Sequence, residues 1–165
     1  MENNLNQQIE LQEIKDRYVA NKCLNKVFTN KNLLIYPTDI SCSVDLKCFV
    51  NNRPFNVEIK ERYKNNKQLE KYPNAELKVD KLRRMRLETP QGTPLIYMVL
   101  LNEEKCLMFN LDKLDWTTVE KRDWWIKRTQ LDPNSDYVCT PTYFIPYSAA
   151  TVTMDCKEFY TQYYN

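Results

Sequence analysis

The stretch Ser43-Val-Asp-Leu-Lys-Cys-Phe-Val-Asn-Asn-Arg-Pro-Phe-Asn-Val-Glu-Ile-Lys60 decides the fold. It reads as two alternating strands joined by a tight turn at Asn51 and Asn52. A two-residue turn sets Val50 against Arg53, Asp45 against Glu58 and Ser43 against Lys60. One face then carries Val44, Leu46, Cys48 and Val50 with Phe55, Val57 and Ile59, and is predicted to be buried. The other carries Asp45, Glu58 and Lys60. Opposed residues on one face hold their Cβ atoms about 4.5–5.5 Å apart, where like charges destabilise the ladder. Two carboxylates set against each other beside an amine point to a divalent cation.

Working outward, the composition bounds the chemistry. A chain of 165 residues, 28% charged and rich in large apolar side chains, fits one domain with a sizeable core, spanning 1–165. A formal net charge of +2 does not announce a nucleic-acid partner, so any such partner rests on local patches. The chain has no histidine, which removes Ser/His/Asp and Cys/His triads, His-ligated zinc and histidine bases. Its only glycine, Gly92, leaves no glycine-rich phosphate loop. Six scattered cysteines without a C-x-x-C pair, and an N-terminus without a signal-peptide pattern, point to a reducing cytoplasm. The longest apolar run, Leu95 to Leu101, is too short to span a bilayer, so no membrane partner is expected.

Before the hairpin, residues 5–28 read as a helix whose inward stripe runs Ile9, Glu13, Asp16, Ala20, Cys23 or Leu24, and Val27. A second apolar face (Leu11, Ile14, Tyr18) brings Glu10 into contention with Glu13 and Asp16 as an acid facing a site. Leu33 to Tyr36 reads as a strand closed by Pro37, and Asp39 as a turn residue. After the hairpin, Lys64 to Pro73 reads as a polar connection. Asn74 is predicted to cap a helix running to about Leu87, with Ala75, Val79, Leu82 and Met85 inward. Its other faces hold Lys78, Lys81, Arg83, Arg84 and Arg86, either a solvated surface or a set of phosphate contacts. Leu95–Leu101 reads as a strand buried on both faces, and Cys106–Phe109 as the last central strand. Leu111–Trp116 suggests a helical turn. Residues 117–130 are ambiguous between helix and loop, and their Trp124 and Trp125 among basic residues could pack or stack on bases. Around Tyr143 to Tyr147 the tail reads as an edge strand, because Pro146 cannot donate to a central ladder.

The order helix, strand, hairpin, helix, strands, with Asp45 and Glu58-Ile-Lys60 on the hairpin, resembles the PD-(D/E)XK nuclease superfamily, the restriction-endonuclease-like and archaeal Holliday-junction-resolvase-like enzymes. The resemblance covers about residues 9–109, leaving 110–165 as an extension, and Val44 stands where the family's name has proline. It implies an α/β fold, a central mixed β-sheet flanked by helices with an α-β-β-β-α-β core. It further implies Mg²⁺ (or Mn²⁺) held by Asp45, Glu58, the Ile59 carbonyl and an acid of the first helix, Glu13 before Asp16 or Glu10. Lys60 would assist the attacking water, and Lys81 or Lys78 would supply the second helix's basic residue. DNA is the implied substrate, with Lys78, Lys81 and Arg84 as contacts, and a homodimer would allow both strands to be cut. The rival readings are a catalytically inactive binding protein of the same fold and an unrelated interaction protein using the aromatic tail.

Overall fold

The computed structural model describes residues 2–39, 41–127 and 136–165. Helix α1 (Glu2–Val27) leads into strand β1 (Leu33–Pro37), then β2 (Leu46–Val50) and β3 (Arg53–Arg62). The β2–β3 ladder has the expected register, from Val50 opposite Arg53 to Leu46 opposite Val57. Asn51 and Asn52 both take positive φ (49° and 63°), which matches the twist of a two-residue hairpin and which asparagine tolerates better than most residues. Val44 departs from expectation. The strand ends at Leu46, so alternation no longer governs Val44, and it packs on the opposite side of the sheet.

The polar connection contains a short helix, α2 (Asn66–Lys71), capped reciprocally by Asn65 and Gln68. The helix predicted from Asn74 is instead strand β4 (Asn74–Lys78) followed by α3 (Val79–Glu88). Ala75 and Leu77 point inward at period two, and pairing with a distant strand overrides local helical spacing. Strand β5 (Leu95–Leu101) lies parallel to β3, so α3 falls within the crossover between them, and β6 (Lys105–Asn110) pairs antiparallel with β5. The expected helical turn after it is a succession of turns, closed by the Trp116 indole donating to the Leu111 carbonyl.

Residues 117–130 resolve in part as strand β7 (Glu120–Lys127), their remainder lying outside the described residues. Strand β8 (Tyr137–Pro146) is the centre, not the edge, of a three-stranded sheet ordered β4-β8-β7. Its prolines are tolerated there: Pro146 is the last residue of the strand, and Pro141 lies beyond the reach of β4. Strand β9 (Val152–Asp155) adds to β6, and helix α4 (Lys157–Tyr164) ends the chain. The fold is therefore α/β, with a mixed six-stranded sheet ordered β1-β2-β3-β5-β6-β9. The C-terminal third, without a counterpart in the expected core, supplies an edge strand to this sheet and a helix to its cover.

Two apolar cores cover the two faces of the main sheet. On one, Val19, Ala20, Cys23 and Leu24 of α1 and Phe159 and Tyr160 of α4 pack on Val57, Ile59, Met98 and Leu100. On the other, Leu82 and Met85 of α3 and Ala75, Leu77 and Ile145 of the small sheet pack on Tyr97 and Val99. The inward stripe of α1 is rotated from the expected one: Lys15 and Val19 are buried, whereas Leu11 and Ile14 are exposed. Leu24 is 1% exposed at the centre of the first core, so Leu24→Ala is expected to cost about 2–5 kcal/mol in urea unfolding. Leu87→Ala, at a position 78% exposed, is expected to change stability by less than about 0.5 kcal/mol.

Candidate functional site

Strand β3 runs through the middle of the sheet, and period two places Glu58, Lys60 and Arg62 on its second-core face. Asp45 follows from the end of β2. Its backbone N–H donates to the Val57 carbonyl (2.9 Å), and its Oδ2 accepts from the Ile59 N–H (2.6 Å). The second bond turns the carboxylate toward β3, and its charge is felt at both Glu58 and Lys60. The ladder stops at Leu46 opposite Val57, short of the expected Asp45–Glu58 and Ser43–Lys60 pairs, and it is this hydrogen bond that leaves Asp45 beside Glu58 and Lys60.

Glu58 is 5% exposed. Its Oε1 lies 2.9 Å from Lys81 Nζ of α3, while Oε2 is buried with no hydrogen-bond partner. Burial, followed by the charge of Asp45, pushes the Glu58 carboxyl up to about 8, with Lys81 and Lys60 acting in the opposite direction. Burial and Asp45 therefore outweigh both lysines and hold the Glu58 carboxyl toward its protonated form. Lys60 is lowered from its ordinary pKa, first by the dense protein around it and then by Arg62. The residue is nevertheless exposed, so water moderates this lowering.

Of the α3 cations, Lys81 is the one paired with these acids. Lys78, at the end of β4, is lowered by desolvation and by the charges of Arg62 and Arg84. Arg62 was not singled out from sequence, although the spacing 58, 60, 62 on an alternating strand would have found it. Part of its charge is answered by Glu76 at 3.7 Å.

The first-helix acid differs from expectation. Glu13 sits 4.0 Å from Arg17, one turn along its own helix, and Glu10 is exposed. Asp16 is the acid drawn inward, because the buried face of α1 is rotated toward Lys15 and Val19. Gln12 Nε2 donates to Asp16 Oδ1 (2.9 Å) and also to Glu61 Oε2. Lys15 Nζ lies 3.1 Å from both Glu61 and Glu103; burial opposes its charge, but these two acids hold its pKa above the ordinary lysine value. Tyr160 donates to Glu61, and Tyr63 and Tyr164 donate to Glu103. Glu61 was the missed signal: it follows Lys60 and shares the apolar face of Ile59, so it had to find a partner under α1.

Oxygen donors of two carboxylates, one with a free buried oxygen, suit a hard cation that keeps several waters. Among the described residues no group of three or more His, Cys, Asp or Glu side chains is placed to hold a metal ion, so Asp45 and Glu58 stand as a pair without the expected third acid.

No protein-family model matches the chain, and no curated protein matches it. Among solved structures it is similar to the Holliday junction resolvase Hjc of Archaeoglobus fulgidus, an archaeal hyperthermophile. The two are 14% identical with a TM-score of 0.42, over 83% of this chain and 96% of the other. Among the described residues no helix is long and apolar enough to cross a membrane.

Burial, then the charge of Glu61, pushes Asp16 up from 3.8 to about 7. The folded chain binds this proton more tightly than the unfolded chain, so stability falls as pH rises through that window. Asp16→Asn is expected to raise the melting temperature at pH 8 and to leave it unchanged near pH 3.8, as a series of thermal melts across pH will show. An equal gain at both ends would mean that Asp16 is not protonated in the fold.

Proposed function

We propose that the chain is a metal-dependent nuclease hydrolysing phosphodiester bonds in DNA, of the PD-(D/E)XK type. The observation that carries this reading is Glu58, an acid buried in the central strand against Asp45 with one oxygen unpartnered. Such a group is costly unless something positive completes it. Asp45, Glu58 and the Ile59 carbonyl would hold Mg²⁺ or Mn²⁺ with waters completing the shell, since the inward acid of the first helix, Asp16, is engaged by Gln12 beside Glu61 on the other face of β3. When bound, the ion supplies a polarised phosphate and a more acidic water.

The chain's own residues carry the rest. Lys60, with its lowered pKa and open tip, takes the proton of the attacking water as that oxygen bonds to phosphorus and the ester bond to the leaving oxygen breaks. Lys81, 2.9 Å from Glu58 Oε1, would meet the negative charge on the phosphate. Lys78 and Arg84 position the backbone without reading bases. Cleavage of both strands by a homodimer is consistent with a single site per chain.

One observation favours a second reading. The Lys81–Glu58 ion pair can be a permanent substitute for a metal, as in a catalytically inactive binding protein of this fold. Plasmid nicking decides between the two. Activity is expected with Mg²⁺ or Mn²⁺, is abolished by EDTA, and drops on the order of 10²–10⁴-fold in Glu58→Gln and Lys60→Ala without loss of fold. DNA binding without nicking in either metal selects the binding protein. The phosphate contacts have their own signature: Lys78→Ala and Arg84→Ala are each expected to weaken binding to all sequences and reduce the salt slope by about 1.

A further inference from the structure

We propose that the β7–β8 ribbon grips unpaired bases of a DNA strand, with Trp125 as the stacking platform. This rests on the reading of DNA as substrate and goes beyond it, since it names single-stranded segments as the part of DNA recognised away from the carboxylates.

Strands β7 and β8 pair from Glu120 opposite Phe144 out to Lys127 opposite Tyr137, whereas β4 pairs with β8 only over Thr142–Pro146. Beyond Thr142 the small sheet is therefore, among the described residues, a two-stranded arm. Its two faces are unlike. On one, Trp124 packs edge-on against Phe144 (5.3 Å) and Tyr72 (5.8 Å), and the Arg122 guanidinium lies over the Trp124 and Phe144 rings (4.8 and 4.2 Å). That packing fixes the strand. On the other face the next residue, Trp125, is 65% exposed, opposite Cys139. The two adjacent tryptophans thus divide their work: one anchors the ribbon and the other is held out from it.

The surroundings of Trp125 indicate what it meets. Lys121 shares its face of β7, with the acid Asp123 between it and the indole. Lys121 Nζ sits over the Tyr143 ring (6.0 Å), Tyr143 packs against Trp116 (5.0 Å), and Arg86 of α3 lies over Trp116 (6.0 Å). A row of alternating cations and aromatics therefore runs from α3 along the arm. The face continues the side of the small sheet that packs, through Leu77 and Ile145, on the second core, under the sheet face bearing Glu58.

A protein-binding aromatic anchor is usually ringed by apolar side chains that exclude water. Trp125 has charged neighbours along its own strand instead. Arg86 and Lys121 along this face, with a flat exposed ring at its outer end, fit a nucleic-acid strand whose phosphates take the cations. The bases of an intact duplex are stacked and paired, so their faces are closed to an indole. Unpaired bases are not.

The test uses the full-length chain in EDTA, so that hydrolysis does not interfere, and labelled oligothymidylate and a blunt duplex of equal length as probes. By fluorescence anisotropy, Trp125→Ala is expected to weaken oligothymidylate binding roughly tenfold or more, as for loss of one stacked base. Trp125→Phe should retain most of the affinity, and duplex binding should change less than about twofold. Oligothymidylate should also quench the tryptophan fluorescence of the wild type, which needs no variant to fold. Wild-type binding to both probes with Trp125→Ala indifferent to oligothymidylate overturns this inference alone. Equal losses on both probes, or dissociation of a dimer in the variant, overturn it as well. Failure of the wild type to bind either probe removes the DNA reading itself, whereas loss of nicking in Glu58→Gln with binding intact leaves the inference standing.

Discussion

An acid lies at the centre of this molecule in a place that disfavours its charge. Glu58 occupies the middle of β3, a strand with neighbours on both sides and helices or a second sheet over both faces. Water cannot solvate it, Asp45 repels it, and only Lys81 answers it directly. Burial of a charge is tolerated where partners compensate, and where they do so incompletely the carboxyl is pushed toward its protonated form. The surrounding architecture keeps these groups in place. The hairpin turn fixes the register, the Ile59 N–H aims Asp45, and the crossover through α3 delivers Lys81 to the opposite oxygen.

The two faces of β3 divide the charged residues between two tasks. Glu58, Lys60 and Arg62 lie on the face shared with α3, where electrostatic tension is left unrelieved. Glu61, on the other face, is enclosed by Gln12, Lys15 and Tyr160, which tie α1 and α4 to the sheet. That second cluster is almost fully paired, so it stabilises a helix–sheet junction. Only Asp16 retains the mark of an acid held against its preference.

A similar division runs through the small sheet. Tyr72, Arg122, Trp124 and Phe144 stack into one continuous aromatic and cationic pile, while Trp125 on the reverse face stays open. Alternation along a strand is enough to send adjacent and chemically identical side chains to opposite environments.

The hairpin was legible because it is local. Asn51 and Asn52 set the turn, the turn set the register, and the register placed Glu58 and Lys60 on one side of β3, with Asp45 turned to them by the Ile59 N–H. The uninterrupted apolar run Leu95–Leu101 likewise announced a strand buried on both faces. Elements whose partners lie far along the chain were not legible. Residues 74–78 carry a spacing that suits a helix, and they are a strand only because β8, some seventy residues later, offers its ladder. Pro146 suggested an edge and sits in a central strand, because its position at the strand's end was not encoded nearby. Which acid of α1 turns inward depended on how the helix rolls on the sheet, a choice made by Val19, Cys23 and Leu24 packing against β3 and β5 rather than by the period of the helix itself. The sequence by itself determined the strand pair that carries the charges. Tertiary packing decided what those charges face, because burial and distant partners exist only once the layers have closed.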